Sequence, residues 1–401
     1  MNENELKNMR KSFSTVKNRS SPILKDPKVL KLKERVQKIK KNSIKSIDDL
    51  MNQGILNLQK NDIEVFKAKD AEEARNIIFK LISEEENNHI IAKSKSNTLG
   101  EIQISKFLKE KGFEIVETDL GDRILQLKKD DNAPVHPTGP ASHLNVEQIK
   151  NIVNEAMNVS LKADPKEIME CVREDVLGKL SKCEIGISGA NSIASDEGSI
   201  VLIHNEGNIS LIASKKLHIA VGGIDKFVET IEDGISVAKL ETIYATGSPV
   251  TSYMNVISGP SKTADIEKKL LKNMYGAEKV VLILLDNGRS EAISECLHCI
   301  GCGNCIISCP VYNVIGNEFG FNNYLGGRGV AMSHFIENEK ISYESGLYKC
   351  TLCGLCTVNC PVSIKTNEFI EVIRDDSQNK GFYKKEHEKI KDNIEKNNSP
   401  Y

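Results

Sequence analysis

Cys299-x2-Cys302-x2-Cys305-x3-Cys309-Pro310 is the stretch that decides the fold of the C-terminal part, and the chain repeats it as Cys350-x2-Cys353-x2-Cys356-x3-Cys360-Pro361. Eight of the eleven cysteines fall in these two runs. A C-x2-C-x2-C-x3-C-P run is the ligand pattern of bacterial ferredoxin-type iron–sulfur clusters. Two runs supply eight thiolates, which predicts two 4Fe-4S clusters and an electron-carrying function.

The spacing within each run also predicts which thiols share a cluster. Three cysteines at x2 intervals let one loop hold three corners of a cluster, and Gly301, Gly303 and Gly354 allow the positive φ angles that bring backbone N–H groups near the sulfurs. The fourth cysteine lies one helical turn further on and, in two-cluster ferredoxins, binds the other cluster. We therefore predict two ligand sets: Cys299, Cys302, Cys305 and Cys360 for cluster 1, and Cys350, Cys353, Cys356 and Cys309 for cluster 2.

Zinc sites and disulfides are the alternative interpretations of these cysteines. Zinc sites rarely use four-cysteine runs followed by proline, and disulfides fit poorly in a long chain without a secretory signal. Cys296 extends the first run by one more x2 step, so it is either a spare thiol or a ligand in a shifted register. The proline favours the register that ends at Cys309, and we predict that Cys296 is not a ligand. Cys171 and Cys183 stand alone and are expected to be packed as small hydrophobic side chains.

Composition and charge divide the 401-residue chain into four segments. Residues 1–46 are lysine-rich but lack interleaved aromatic residues, which indicates an amphipathic docking segment or a solvated tail rather than a nucleic-acid-binding arm. Residues 47–287 are predicted to form an α/β domain, residues 288–376 a helical cysteine-rich domain without strands, and residues 377–401 a charged tail. The longest apolar run, residues 280–285, is too short to span a bilayer. The polar N-terminus shows no signal peptide, and free thiols with clusters predict a cytoplasmic protein.

The α/β prediction depends on alternating patterns between residues 47 and 287. Short apolar runs predict strands, and apolar residues at helical spacing predict the helices between them. Asp164-Pro165 is typical of a helix start, with a capping side chain followed by proline in the first turn. The expected strands are 63–66, 90–92, 113–116, 184–187, 199–204, 218–221 and 280–286, and the expected helices include 74–82, 165–181 and 227–240.

The two halves together resemble the lactate-utilisation iron–sulfur protein B family over roughly residues 45–375. The matching words, in order, are Lys93–Ser96, Glu117–Gly121, Gly186–Asn191, Asn205–Asn208, Ile257–Ser261, Thr263–Glu267, Leu285–Arg289 and Cys305–Tyr312. The resemblance implies a LUD domain, related in fold to CoA-transferase and ribose-phosphate-isomerase α/β proteins. It also implies an α-helical ferredoxin domain, of the kind found in succinate dehydrogenase and heterodisulfide reductase. The chain departs from the family at Asp196-Glu197-Gly198-Ser199, where Glu197 replaces a threonine in an expected site loop.

The resemblance also implies a function and partners. Family members work with a cysteine-rich redox subunit and a second LUD protein to oxidise L-lactate to pyruvate, and a flavoprotein or a ferredoxin is a further partner to consider. No G-x-G-x-x-G fingerprint for a flavin or dinucleotide is present, and Gly326-Gly327-Arg328-Gly329 does not follow a strand as a phosphate loop would. We therefore assign no catalytic residue and expect the chain to be incomplete as an enzyme. The alternatives are a subunit of another anaerobic redox complex of the heterodisulfide-reductase type and a protein that senses redox state and a metabolite.

Several polar residues are predicted to form a small-anion pocket in the LUD domain. Lys93 and Lys95 follow a strand and precede a helix, so their charges would add to a helix N-terminus at the carboxyl edge of the sheet. We expect the pocket to include Asn205 and Glu206, together with Ser258, Ser261 and Asp265, the last three also capping the next helix. The alternative is that these residues serve only as turn and cap chemistry. The histidines at 136, 143 and 218 lack metal-like spacing and are expected to be hydrogen-bonding or surface residues.

Overall fold

The computed structural model of the protein describes residues 1–85, 89–128 and 134–400. Its helices and strands are numbered along this described chain. The alternation predicted for residues 47–287 is present, and the cysteine-rich part is mostly helical. None of the helices in the described ranges is both long and apolar enough to cross a membrane.

Three helices open the chain: α1 (Glu3–Ile23), α2 (Pro27–Lys45) and α3 (Ile47–Lys60). Asp26 caps α2, and Pro27 occupies its first turn, where a missing N–H breaks no helical bond. α1 buries Leu6, Met9 and Phe13 in a core shared with the cysteine-rich part, and α2 packs against the core that holds Cys296 and Cys302. The segment 1–46 is therefore packed as helices, which agrees with a docking segment and not with a solvated tail.

A six-stranded parallel sheet forms the centre of the α/β domain. In spatial order its strands are β1 (Ile63–Ala68), β12 (Lys279–Leu285), β7 (Leu217–Gly223), β4 (Ile185–Gly189), β2 (Ile90–Lys93) and β3 (Glu114–Glu117). The central strands are buried on both faces, which explains their continuous apolar sequence. The helices that flank the sheet are α4 (Ala71–Ser83), α5 (Asn97–Glu101), α6 (Ile104–Glu110), α7 (Leu120–Leu127), α8 (Val146–Met157), α9 (Pro165–Leu180) and α10 (Asn208–Ala213).

A second, four-stranded sheet lies beside the first in the order β8-β5-β6-β9. Its members are β5 (Ser192–Ala194), β6 (Ser199–His204), β8 (Phe227–Val228) and β9 (Tyr253–Ile257). The helix expected over 227–240 is misplaced at its start, because Phe227 and Val228 pair with β5 and the helix α11 (Ile231–Thr246) begins only after the cap Thr230. A small hairpin follows, made of β10 (Lys262–Thr263) and β11 (Leu271–Lys272).

The cysteine-rich part consists of short helices and one small hairpin. Its helices are α12 (Asn304–Ile307), α13 (Pro310–Ile315), α14 (Gly326–Ile336), α15 (Glu339–Glu344), α16 (Leu355–Val358), α17 (Thr366–Asn379) and α18 (Lys385–Asn397). The expectation of no strands is wrong in one place, where β13 (Gly320–Phe321) and β14 (Tyr324–Leu325) pair antiparallel. Single 3₁₀ turns occupy Ile224–Lys226, Ser294–His298, Gly316–Glu318 and Leu347–Lys349.

Candidate functional site

The two cysteine runs adopt the same backbone path. Each run begins where a 3₁₀ turn ends, and each passes through a glycine with positive φ, Gly303 (72°) or Gly354 (71°), into a one-turn helix. The residue immediately before the second cysteine of each run also has a positive φ: it is Gly301 (81°) in the first loop and Leu352 (56°) in the second. A leucine rarely adopts this conformation. Both loops therefore make the same left-handed turn at this position, one with glycine and one with leucine.

The packing of the loops brings thiols of different runs together. Burial raises the pKa of the Cys302 thiol, and the nearby sulfurs of Cys305 and Cys360 raise it further. Burial also raises the pKa of Cys309, whose neighbouring thiols are Cys356 and Cys350 of the second run. The fourth cysteine of each run thus lies beside the loop of the other run.

The arrangement of the thiols fits iron–sulfur clusters. All eleven cysteines are free thiols. The Gly301 N–H points at the Cys299 sulfur (3.4 Å) and the Tyr312 N–H at the Cys309 sulfur (3.5 Å), as expected for donors to cluster ligands. Thiolates are soft ligands that select iron–sulfur clusters or zinc rather than hard cations. Because burial disfavours ionised thiolates, the bound metal would supply the charge that keeps them deprotonated.

Cys296 lies next to the first loop but in a different environment. Its side chain is fully buried, and burial raises its pKa to about 12. Its carbonyl oxygen accepts a hydrogen bond from Nη2 of Arg328 (3.1 Å). That Cys296 is not a ligand stays a prediction.

A crevice of about 500 Å³ lies at the carboxyl ends of the strands of the main sheet. Residues that follow β2, β3 and β4, such as Lys95, Asp119 and Asn191, line it on one side. The Cys299–Gly301 segment of the first cysteine loop lines it on another side. Ligands of parallel α/β sheets bind at this edge, and here that edge faces a predicted cluster ligand.

The structure places only part of the predicted anion pocket in this crevice. Lys95, Asn205 and Glu206 line it. Lys93 does not: its buried Nζ donates to Glu117 Oε2 (2.8 Å), because the register of β2 and β3 sets the two residues side by side. Lys95 is also paired, with Asp119 Oδ2 at 2.7 Å.

The other three predicted pocket residues lie elsewhere. Ser258 is hydrogen-bonded to Ser199 (2.6 Å), the Ser261 hydroxyl accepts backbone N–H groups of the β10–β11 hairpin region, and Asp265 is bonded to Thr263. The expectation that they cap a helix is wrong, since the described chain from residue 258 to β12 is hairpin and turn. Glu197 is also outside the crevice, where it accepts the Ile231 N–H at the start of α11.

The crevice carries an acidic side chain directly beside the first cysteine loop. Asn191 Nδ2 donates to Glu241 Oε2 (3.0 Å). A methyl group at Gly301 would lie 3.4 Å from Glu241 Oε1, so the carboxyl packs on the cysteine loop. Burial raises the pKa of Glu241 from 4.5 to about 7, against the lowering effect of Lys226. This carboxyl can therefore hold or release a proton near neutral pH.

A buried ionic network fixes the crevice between the two domains. Arg289 donates to both carboxylate oxygens of Glu101 on α5 (2.9 and 2.7 Å) and to Asp225 Oδ1 (2.8 Å). The Tyr324 hydroxyl of the cysteine-rich part donates to the same Glu101 carboxylate. Sequence reasoning missed this network. The only sequence feature that pointed to it was Arg289, which ends Leu285–Arg289, one of the stretches that resemble the family.

His136, His143 and His218 are all buried. His136 contacts the Gly303 carbonyl (3.3 Å) and His218 the Ser188 hydroxyl (2.8 Å), and burial lowers the pKa of each to about 4. His143 also has a partner. His136 and His218 are therefore neutral, hydrogen-bonded packing groups, in line with the expectation for these two residues.

Comparisons with known proteins agree with this architecture. Residues 51–285 match the LUD domain family, and residues 295–364 match the 4Fe-4S dicluster domain family. The fold class expected from the sequence is thereby confirmed.

Relatives match over both domains. The protein named Lactate utilization protein B from Geobacillus thermodenitrificans is 34% identical over 83% of this chain and 69% of its own length. Its namesake from Bacillus cytotoxicus is 34% identical over 84% of this chain and 70% of its own length. The one from Bacillus subtilis is 32% identical over 83% and 68%. A solved DUF162 family protein from Deinococcus radiodurans aligns with 60% of this chain and 98% of its own, at 13% identity and a TM-score of 0.33. With both domains matched in one order, the chain belongs to the lactate utilization protein B family.

Proposed function

We propose that this chain is the iron–sulfur electron-transfer subunit of a complex that oxidises L-lactate, or a related 2-hydroxyacid, to pyruvate or the corresponding 2-oxoacid. The names of its relatives support the substrate class, and the dicluster domain supports the electron-transfer role. The main support for the proposal is the crevice that ends at Cys299–Gly301, because there a ligand-sized cavity of the LUD domain adjoins a loop that is proposed to bind a cluster.

The proposal includes two 4Fe-4S clusters with crossed ligands. Cluster 1 is held by Cys299, Cys302, Cys305 and Cys360, and cluster 2 by Cys350, Cys353, Cys356 and Cys309. The neighbouring thiols of Cys302 and Cys309 support this assignment. When bound, each cluster accepts and releases one electron.

The protein residues around the thiols serve to exclude water on one side and to leave access on the other. Cys302 is buried in the core formed with α2 and α14, and Cys305 is partly buried against the core formed with α1, α13 and α14, whereas Cys353 is exposed. The second thiol group therefore has a face open to a redox partner, and the first has a face toward the crevice.

The chain requires partners for the chemistry. Oxidation of a 2-hydroxyacid releases two electrons and two protons, and removal of a hydride or an electron pair needs a two-electron acceptor such as flavin or nicotinamide. The sequence has no fingerprint for either. We propose that a cysteine-rich redox subunit and a second LUD protein complete the complex, with a flavoprotein or a ferredoxin as the further electron acceptor.

Lactate-dependent reduction of the clusters tests this function. The anaerobically reconstituted chain, alone or with its co-purified native partners, is mixed with L-lactate while its visible absorption is recorded. We expect bleaching only with the partners. Cys299→Ser should diminish this bleaching. Cys171→Ser, a matched change on α9 away from both runs, should leave it unchanged. Clusters that dithionite reduces but lactate plus partners do not would contradict the proposal.

A further inference from the structure

The crevice beside the first cysteine loop is lined by four cations that differ in their partners. Lys95 pairs with Asp119 (2.7 Å), Lys226 with Asp225 (3.3 Å), and Arg289 with Glu101 and Asp225. Arg328 makes no ion pair with any carboxylate of the described residues. The positive charge available to a ligand is therefore concentrated at Arg328.

The guanidinium of Arg328 is held rigidly and is incompletely satisfied. It lies over the Tyr324 ring, 5.5 Å from its centroid, and Nη2 donates to the Cys296 carbonyl. Its Nε is buried and has no hydrogen-bond partner among the described residues. A buried donor without a partner is costly, and an arginine fork is suited to carboxylate and phosphate oxygens.

The glycines around Arg328 explain how it reaches the crevice. A methyl group at Gly329 would lie 2.2 Å from the Tyr324 backbone carbon, so only glycine lets α14 start this close to β14. Gly326 has φ 67°, which turns the chain from β14 into the helix. The expectation that the Gly326–Gly329 segment does not follow a strand is wrong, because β14 ends at Leu325 and α14 begins at Gly326. The segment places one arginine, Arg328, at the cavity wall.

The opposite side of the crevice is unsuited to an anion. The Lys95 charge is surrounded by Asp119, Asp122 and Glu206. A negatively charged head group would be repelled there, whereas hydroxyl or amino groups of a ligand would find acceptors. Glu241 does not lie on this side but beside Gly301 of the cysteine loop, where burial disfavours its charged form and raises its pKa.

We infer that Arg328 is the receptor for the anionic head group, a carboxylate or a phosphate, of a small ligand in the crevice, in place of the Lys93 and Lys95 pair expected from the sequence. The inference rests on the proposed function only in taking the crevice as the substrate side of the subunit. The head group would bind at the wall nearest Cys299, and the remainder of the ligand would point toward the acidic side formed by Asp119, Asp122 and Glu206.

A competing explanation is that Arg328 only balances the negative charge of the thiolates. Burial opposes its charge, but Cys299, Tyr324, Cys296 and Asp225 together outweigh this effect and raise the pKa of Arg328. Arg374 provides the control for this explanation. It donates to the Cys350 carbonyl (2.7 Å) and lies over the Tyr348 ring (5.2 Å), as Arg328 does at the first loop, but it does not line the crevice.

The test is calorimetric titration of the anaerobically reconstituted protein with L-lactate, pyruvate and inorganic phosphate, and with the neutral amide of lactate. We expect an anion to bind the wild type and the amide to bind poorly. Arg328→Gln should weaken anion binding by about 10- to 100-fold, the size of a lost charge-assisted hydrogen bond. Arg328→Lys should weaken it less, and Arg374→Gln should leave it unchanged.

Three results of the titrations would overturn the inference: no anion bound by the wild type at millimolar concentration, equal affinities of wild type and Arg328→Gln, or a loss of binding in Lys95→Gln alone. If the Arg328→Gln protein does not incorporate its clusters, a redox titration of the wild type with and without the anion tests the inference instead. A bound anion at this wall should lower the midpoint potential of the first cluster, and no shift at a saturating concentration would refute the assignment. These measurements need neither partners nor turnover, so phosphate binding through Arg328 without lactate-dependent reduction would leave this inference standing and remove the proposed function.

Discussion

Glu101→Gln is expected to loosen the junction between the LUD domain and the cysteine-rich domain. The Glu101 and Arg289 side chains are 2% and 4% exposed and share two hydrogen bonds, while Tyr324 donates to the same carboxylate. Removing one partner of a buried ion pair costs about 3–5 kcal/mol. Because Asp225 still accepts from Arg289, we expect the lower end, a loss of about 3 kcal/mol in the free energy of unfolding.

Anaerobic urea denaturation followed by circular dichroism measures this loss. Glu344→Gln is the matched control, because its pair with Lys340 is exposed (55% and 64%) and 3.9 Å long, and such pairs contribute about 0–1 kcal/mol. Limited trypsin digestion gives a second measurement, since the buried Arg289 should become a cleavage site between the domains. A Glu101→Gln protein as stable and as resistant at Arg289 as the control would refute this account of the junction.

Three further predictions concern the cysteine loops and the crevice. Cys309→Ser should deplete the cluster held by the second run, because the Cys309 thiol lies beside Cys356. Electron paramagnetic resonance of the reduced protein measures this depletion. Loss of the first cluster alone would show that the ligands are not crossed. Cys296→Ser should leave the iron content unchanged, and a clear loss of iron would indicate a shifted register. Glu241 keeps a proton in the folded state up to a pKa of about 7, against 4.5 when unfolded, so its contribution to stability is complete below pH 4.5 and is lost as the pH rises through 7. Relative to Glu241→Gln, the wild type should lose about 3 kcal/mol over this range, and parallel pH profiles of unfolding would contradict the raised pKa.

Much of the fold could be predicted because its signals are local. The cysteine spacing and the buried runs at 199–204 and 280–285 each need only a few neighbouring residues to be recognised, and the Asp164-Pro165 cap lies where a helix begins. The errors come from segments whose structure depends on distant partners. Phe227 and Val228 form a strand only because β5 lies beside them, and two-residue strands such as β13 have no sequence period to detect.

The site was less predictable, because charge pairing depends on register and packing. Lys93 looked like a free cation, but the parallel pairing of β2 and β3 sets it beside Glu117. Ser261 and Asp265 have side chains that serve turns as readily as helix caps. Arg328 lies 139 residues after the end of β4 and further still from β2 and β3, so only the packing of α14 shows that it reaches their crevice.

The central claim, that the two cysteine runs hold two 4Fe-4S clusters, is tested most directly by the iron and sulfide content of the chain after anaerobic reconstitution. The account predicts about eight iron and eight acid-labile sulfide per chain, with the broad visible absorption of such clusters. A protein that takes up zinc instead, without this absorption, or one that saturates at about four iron, would contradict it.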